Sequence, residues 1–216
     1  MNQPLSFLLS SAYTGALAPE HLANLLESGL SNETIARQRL CSVPPGMIPP
    51  LLGFDIPAIR SAMVLPFPDP RGGWMDHVRL KVFPSLTDSN GGTTKYLQPR
   101  GSGVRLFFPL TTLHEALHNS APLWFIEGEK KSLAVAQLGL PTVGFCGING
   151  WHAGGSQQLL PDFQVIDLRN RVVELVPDGD VATNPHVTRG AERFAEALEG
   201  RGAQVRLVRL PLELAA

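Results

Sequence analysis

From Leu123 to Val208 the chain alternates short apolar runs with helical stretches, and this alternation constrains the fold more than any other feature. Leu123-Trp124-Phe125-Ile126 is an apolar run ending in Glu127-Gly128; a helix through Leu133, Ala136 and Gln137 follows and stops at Gly139, and Thr142-Val143-Gly144-Phe145-Cys146 is the next strand. After a glycine-rich loop, residues 164–168 and 172–176 read as two further strands, the second running into Asp178-Gly179-Asp180. Asn184-Pro185 opens a helix whose Val187, Ala191, Phe194 and Leu198 share one face, and residues 205–208 form the last strand. Strands separated by helices require crossover connections. The expectation is a mostly parallel sheet with helices on its faces, and ligands of such sheets bind beyond the carboxyl ends of strands.

The preceding residues differ in character. Pro19 to Glu27 carries Leu22, Leu25 and Leu26 at helical spacing, and Ser31 caps a second short helix that takes in Ile35 and Leu40 and ends before Pro44-Pro45. Residues 63–67, 78–83 and 104–108 then read as strands separated by the turn sequences Asp69-Pro70-Arg71-Gly72-Gly73 and Asp88-Ser89-Asn90-Gly91-Gly92. The whole chain has a formal charge of −1, yet residues 60–109 carry Arg60, Arg71, Arg79, Lys81, Lys95, Arg100 and Arg105 against Asp69, Asp76 and Asp88. That local excess is either a polyanion-binding surface or simply the solvent side of alternating strands. The expected organisation is α/β, or α+β overall: a helical lead-in over residues 1–60, a small basic β-rich subdomain over 61–110, and the parallel-sheet domain over 111–216.

Composition narrows the alternatives. Charged residues make up 17% of the chain and there are 21 Gly and 19 Pro, which excludes coiled coils and long solvated helices. Cys41 and Cys146 form no CxxC pair, so neither a cysteine zinc knuckle nor a disulfide scaffold is indicated, and a reducing cytoplasm is expected. The first basic residue is Arg37, and no apolar run approaches the length of a membrane span, so neither a signal peptide nor an anchor is expected.

Chemistry concentrates where the strands end. Glu127 and the pair Asp178/Asp180 each follow a strand of the parallel sheet, so one edge collects three carboxylates. Such a group is tolerable when a divalent cation lies between its members, and Mg²⁺ is typically held by one or two carboxylates, waters and substrate phosphates. Asp-Gly-Asp is by itself also an ordinary turn. Placement of both acidic motifs at strand ends is what favours the metal reading.

Glu127-Gly128 after an apolar strand, then Asp178-Gly179-Asp180 and a helix, resembles the Toprim domain shared by topoisomerases and bacterial-type primases. Upstream, Leu65-Pro66-Phe67-Pro68-Asp69-Pro70-Arg71-Gly72, Val78-Arg79-Leu80-Lys81 and Lys95-Tyr96-Leu97-Gln98-Pro99 are similar to the basic N-terminal subdomain of bacterial replicative primases, and Gly29-Leu30-Ser31-Asn32-Glu33-Thr34-Ile35 resembles the short helical element before it. The Glu127-Gly128-Glu129-Lys130-Lys131 version resembles primase-related Toprim proteins of plasmids and phages. The resemblance implies metal-dependent nucleotidyl transfer on single-stranded DNA from nucleoside triphosphates, with Mg²⁺ or Mn²⁺ on Glu127, Asp178 and Asp180 as the catalytic carboxylates. It implies nucleotide or template contacts from Arg79, Lys81 and Lys95, with Arg100, Lys130 and Lys131 as further candidates, and a replicative helicase as a partner. Two alternatives stand beside it: a Toprim-type metal-dependent nuclease, and an inactive nucleic-acid-binding or helicase-recruiting module.

The chain departs from the replicative pattern. Those primases carry a second acidic residue four positions after the first Glu, where this chain has Lys131, and a further acidic cluster after the last strand, where it reads Leu210-Pro211-Leu212-Glu213-Leu214. His114-Glu115-Ala116-Leu117-His118 matches the HExxH zinc-protease pattern but lacks a third ligand at a familiar spacing, so a connector helix is the preferred reading. His152 and the base-stacking candidates Trp74 and Trp151 are weaker signals, and Trp124 is assigned to the core.

Overall fold

A computed structural model describes residues 16–89, 91–118, 120–154, 158–179 and 184–209. The chain divides into two compact units, Met1–Gly103 and Val104–Ala216.

In the first unit, helix α1 (Pro19–Glu27) starts on a proline, whose missing N–H has no intrahelical partner to lose at that position. Helix α2 (Asn32–Arg37) is capped by the Ser31 hydroxyl, which accepts the Thr34 N–H at 3.1 Å. The sequence pattern predicts a longer helix here. Instead α2 ends at Arg37 and Cys41–Val43 form strand β1, because Cys41 and Val43 bury their side chains by pairing opposite Val64 and Ala62. Helix α3 (Ile48–Leu52) was not legible in the sequence; its Pro49-Pro50 pair falls in the first turn, where proline is tolerated. Strands β2 (Ser61–Pro68), β3 (Trp74–Thr87) and β4 (Thr93–Leu97) complete an antiparallel sheet in the order β1-β2-β3-β4. Both turn sequences close as hairpins: the Asp69 N–H donates to Gly73 O at 3.0 Å and the Asp88 N–H to Gly92 O at 2.9 Å.

Alternation along β3 separates two faces. Val78, Leu80 and Val82 pack with Ile48, Leu51 and Leu52 in one hydrophobic core. Arg79, Lys81 and Phe83 take the other face, where α1 lies: His21 stacks on Phe83 at 4.5 Å between ring centroids, and Lys81 Nζ donates to Asn24 Oδ1 at 2.6 Å.

In the second unit, a turn of 3₁₀ helix (Leu110–Thr112) leads into helix α4 (Leu113–His118), followed by strand β5 (Leu123–Glu127), helix α5 (Glu129–Ala136), strand β6 (Thr142–Phe145), strand β7 (Val172–Val176), helix α6 (Pro185–Glu199) and strand β8 (Gln204–Leu207). All three strand pairings are parallel, in the order β6-β5-β7-β8. Phe125 and Phe145 meet Phe194 of α6, and Trp151 stacks on that same ring at 5.1 Å with an interplanar angle of 1°. On the opposite face Gly144 leaves room for α5. A Cβ there would come within 2.5 Å of Ser132 Oγ and 3.1 Å of Phe107 Cβ.

Two strands expected from apolar runs do not form. Residues 104–108 make only an isolated bridge, Phe107 to Gly144, and Pro161–Val165 is a 3₁₀ turn. The Asp162 carboxylate is buried and accepts from Arg105 Nη2 at 2.7 Å and from the Leu106 N–H at 2.9 Å, tying these two segments to each other. Arg105 therefore neutralises a buried acid rather than adding to a basic surface.

Candidate functional site

The chain lays β6 on one side of β5 and then returns to lay β7 and β8 on the other, so strand order reverses between β5 and β7. Backbones diverge beyond the carboxyl ends of the strands at such a point, leaving the crevice where open α/β sheets bind ligands. Glu127 ends β5, and Asp178 follows β7 after Pro177. The Asp178 N–H donates to Glu127 Oε2 at 2.8 Å, so a contact across 51 positions fixes one carboxylate against the backbone that carries the other.

Local sequence explains this placement. Gly128 has φ +93°, a conformation that disfavours any side chain, and it turns the chain sharply from β5 into α5. The Gly128 N–H donates to Phe145 O at 2.8 Å, and Ser132 Oγ returns to Gly128 O at 2.7 Å, which locks the Glu127-Gly128 corner to β6 and to the first turns of α5. From that helix the Lys131 ammonium reaches the Asp178 carboxylate and forms an ion pair, with both side chains about half exposed. Sequence reasoning placed Lys131 among phosphate contacts and missed this pair. Its only signal was the lysine standing four positions after Glu127, one helical turn on.

Asp180 lies outside the described residues. Among the described residues no three His, Cys, Asp or Glu side chains come together in an arrangement able to hold a metal ion. Glu127 and Asp178 present carboxylate oxygens, the donor type preferred by Mg²⁺ and Mn²⁺, and could hold one such ion; Lys131 is paired with one of the two Asp178 oxygens.

The basic candidates of the first unit are distributed as follows. Arg79 and Lys81 share one face of β3, with the Arg79 guanidinium 4.8 Å and the Lys81 ammonium 5.9 Å from the centroid of the Tyr96 ring. Neither simply faces water: Arg79 is half-buried and Lys81 is 9% exposed under α1. Lys95 is exposed and, adjacent to Tyr96 on β4, points to the other face of the strand. Arg100 is exposed, its guanidinium 5.6 Å from the Phe54 ring centroid. Lys130 is half-buried at the start of α5.

The remaining candidates have other settings. Trp151 is buried against Phe194 and offers no face to a base, and the Arg39 guanidinium lies 5.4 Å from the centroid of Trp74. His152 Nδ1 is 3.0 Å from the carbonyl oxygen of Ala153. His114 and His118 are exposed neighbours on the six-residue α4, their ring centroids 5.2 Å apart. No helix among the described residues is long and apolar enough to cross a membrane.

Residues 114–215 match a family model described as a domain of unknown function, DUF3854. No curated protein matches the chain. Among solved structures, the Aquifex aeolicus primase comprising zinc-binding and RNA polymerase domains superposes with a TM-score of 0.64 at 15% identity, covering 96% of this chain and 54% of that one. A structure described as the DnaG catalytic core superposes with a TM-score of 0.62 at 21% identity, covering 98% of this chain and 72% of that one. The chain thus spans about half the length of the Aquifex structure. Its parallel sheet flanked by helices, together with the antiparallel β-rich unit, is the fold of bacterial primase catalytic cores.

Proposed function

We propose that the protein is a primase-like Toprim enzyme of a plasmid or phage replication system that joins nucleotides on single-stranded DNA. The observation that carries this reading is the tether between Glu127 and Asp178 at the point of strand-order reversal, in a chain with the fold of primase catalytic cores.

Nucleotidyl transfer forms a bond between a 3′-hydroxyl oxygen and an α-phosphorus, breaks the bond from that phosphorus to the pyrophosphate oxygen, and releases the hydroxyl proton to solvent. Bound Mg²⁺ or Mn²⁺ supplies positive charge to the reacting phosphates. Glu127, Asp178 and Asp180 are the residues that would hold it. The Asp178 N–H fixes the orientation of Glu127, so that carboxylate is positioned before any ligand arrives. Arg79, Lys95, Arg100 and Lys130 are assigned to nucleotide or template phosphates, where point charges and guanidinium forks act on the strand irrespective of sequence, whereas Lys81 lies covered by α1 and bonded to Asn24. A separate replicative helicase and a cytoplasmic setting complete the reading.

The test uses a labelled single-stranded DNA, all NTPs and dNTPs, and Mg²⁺ or Mn²⁺, with products resolved by length. New short oligomers made by the wild-type chain and reduced at least about a hundredfold in Glu127→Gln are the expected result, the size of loss typical when charge stabilisation at a reacting centre is removed. Shortened template dependent on Glu127 replaces the primase reading with a nuclease. The Lys131–Asp178 ion pair favours one further reading, an inactive binding module, because it partly neutralises the acidic site. DNA binding without new oligomers or shortened template selects that alternative.

A further inference from the structure

The Lys131 ammonium stands one helical turn after Glu127 and is paired with Asp178, the residue whose N–H holds Glu127. Two divalent ions acting together at phosphorus sit about 3.5–4 Å apart and share carboxylates between them. An ammonium already resting on one of only two described carboxylates takes a ligand oxygen from a second ion and repels it. The same ammonium is a point charge suited to phosphate, and a half-exposed ion pair is weak enough for a phosphate oxygen to draw it away from Asp178.

We infer that Lys131 replaces the second metal ion: the site takes a single divalent cation, and the Lys131 ammonium is the built-in second cation that meets a substrate phosphate. This rests on the reading of Glu127 and Asp178 as a metal site. The chain's departure at position 131 then has a function, since a lysine delivers positive charge where an acidic residue would recruit it with a metal.

The experiment is a titration of the full chain with Mn²⁺, read by the electron paramagnetic resonance signal of the free ion, on wild type, Glu127→Gln, Lys131→Met and Lys131→Glu, each checked for native circular dichroism. Expected are one Mn²⁺ per wild-type chain, abolished in Glu127→Gln; at least about fivefold tighter binding in Lys131→Met, from loss of one nearby positive charge; and a second Mn²⁺ in Lys131→Glu. Two ions in the wild type overturn the inference. So does binding that still requires Glu127 but is unchanged in both Lys131 variants, and that outcome leaves the metal reading standing. Binding absent from the wild type and present in Lys131→Met also overturns it, Lys131 then excluding divalent ions altogether. No Glu127-dependent Mn²⁺ in any variant overturns the metal reading itself and the role of Lys131 with it.

Discussion

The imidazole of His21 is fully buried, and each of its nitrogens meets a hydroxyl: Ser42 Oγ lies 2.7 Å from Nδ1 and Ser61 Oγ 3.2 Å from Nε2. Ser42 Oγ also accepts the Ala18 N–H at 2.7 Å, and the Ser61 hydroxyl donates to Glu20 Oε1 at 2.5 Å. One proton arrangement satisfies the chain of bonds: Ser42 donates to Nδ1, and Nε2–H donates to Ser61. A second proton on the ring has no acceptor in that arrangement. Burial lowers the pKa of His21 below its usual value; Glu20 opposes the shift and Lys81 adds to it. The folded state therefore binds this proton less readily than the unfolded chain. Stability is full above about pH 6.5, the unfolded value, and falls as pH drops from there to the lower folded value, with a slope of at most about 1.4 kcal/mol per pH unit for one proton. Urea unfolding of the wild type at successive pH values should show that slope, and His21→Gln should lose it; equal slopes in the two proteins remove His21 as its source. At this scale the sequence revealed acids at strand ends because that signal is local. It concealed the Lys131–Asp178 pair, since a solvated lysine opening a helix reads the same way, and it concealed the cover that α1 places over Lys81.

Elements whose partners are close in sequence were the legible ones. The hairpin between β2 and β3 follows from its turn chemistry, and α5 and α6 follow from their apolar spacing and flanking glycines and prolines. The failures, at residues 104–108, at 164–168 and at β1, are segments whose state is decided by a distant partner: Asp162 for the first, the aromatic cluster around Phe163 for the second, β2 for the third. Arg171 is another such long-range device. Its buried guanidinium donates to the carbonyls of Glu115, Ala116 and Ala121 at 2.9, 2.6 and 2.9 Å, joining the end of α4 to Ala121. The seat of α5 on the sheet yields a direct prediction. Ser132 Oγ and Phe107 Cβ crowd the missing Cβ of Gly144, and Ser132 is held by its own bond to Gly128 O, so it cannot swing aside without releasing the corner that carries Glu127. Gly144→Ala should cost about 1–3 kcal/mol in chemical denaturation and should weaken Glu127-dependent Mn²⁺ binding as well. A stable variant with wild-type Mn²⁺ affinity would show that this packing does not position the site.

Each unit has a sheet and a core of its own, divided at Gly103/Val104. The alternation from Leu123 onward was sufficient to read the parallel sheet, whereas its strand order was not, because periodicity specifies that strands cross over without saying on which side. That order matters most for function: it places the reversal between β5 and β7 and so brings Glu127 to Asp178. Both acids, the tether between them, Lys131, the aromatic cluster of Phe125, Phe145, Phe163 and Phe194, and the Arg105–Asp162 bond all belong to the second unit. A chain of about this length with a complete core is within the usual range for independent folding. Residues 104–216 expressed alone should therefore unfold in urea in one cooperative transition, with an m-value of about 1–2 kcal/mol/M, and should retain the Mn²⁺ binding of the full chain, while template-directed synthesis should be lost with the cations of the first unit. A fragment that melts without cooperativity would make the first unit a structural requirement of the sheet. A fragment that folds and still extends nucleotides on a template would remove Arg79, Lys95 and Arg100 from the reaction.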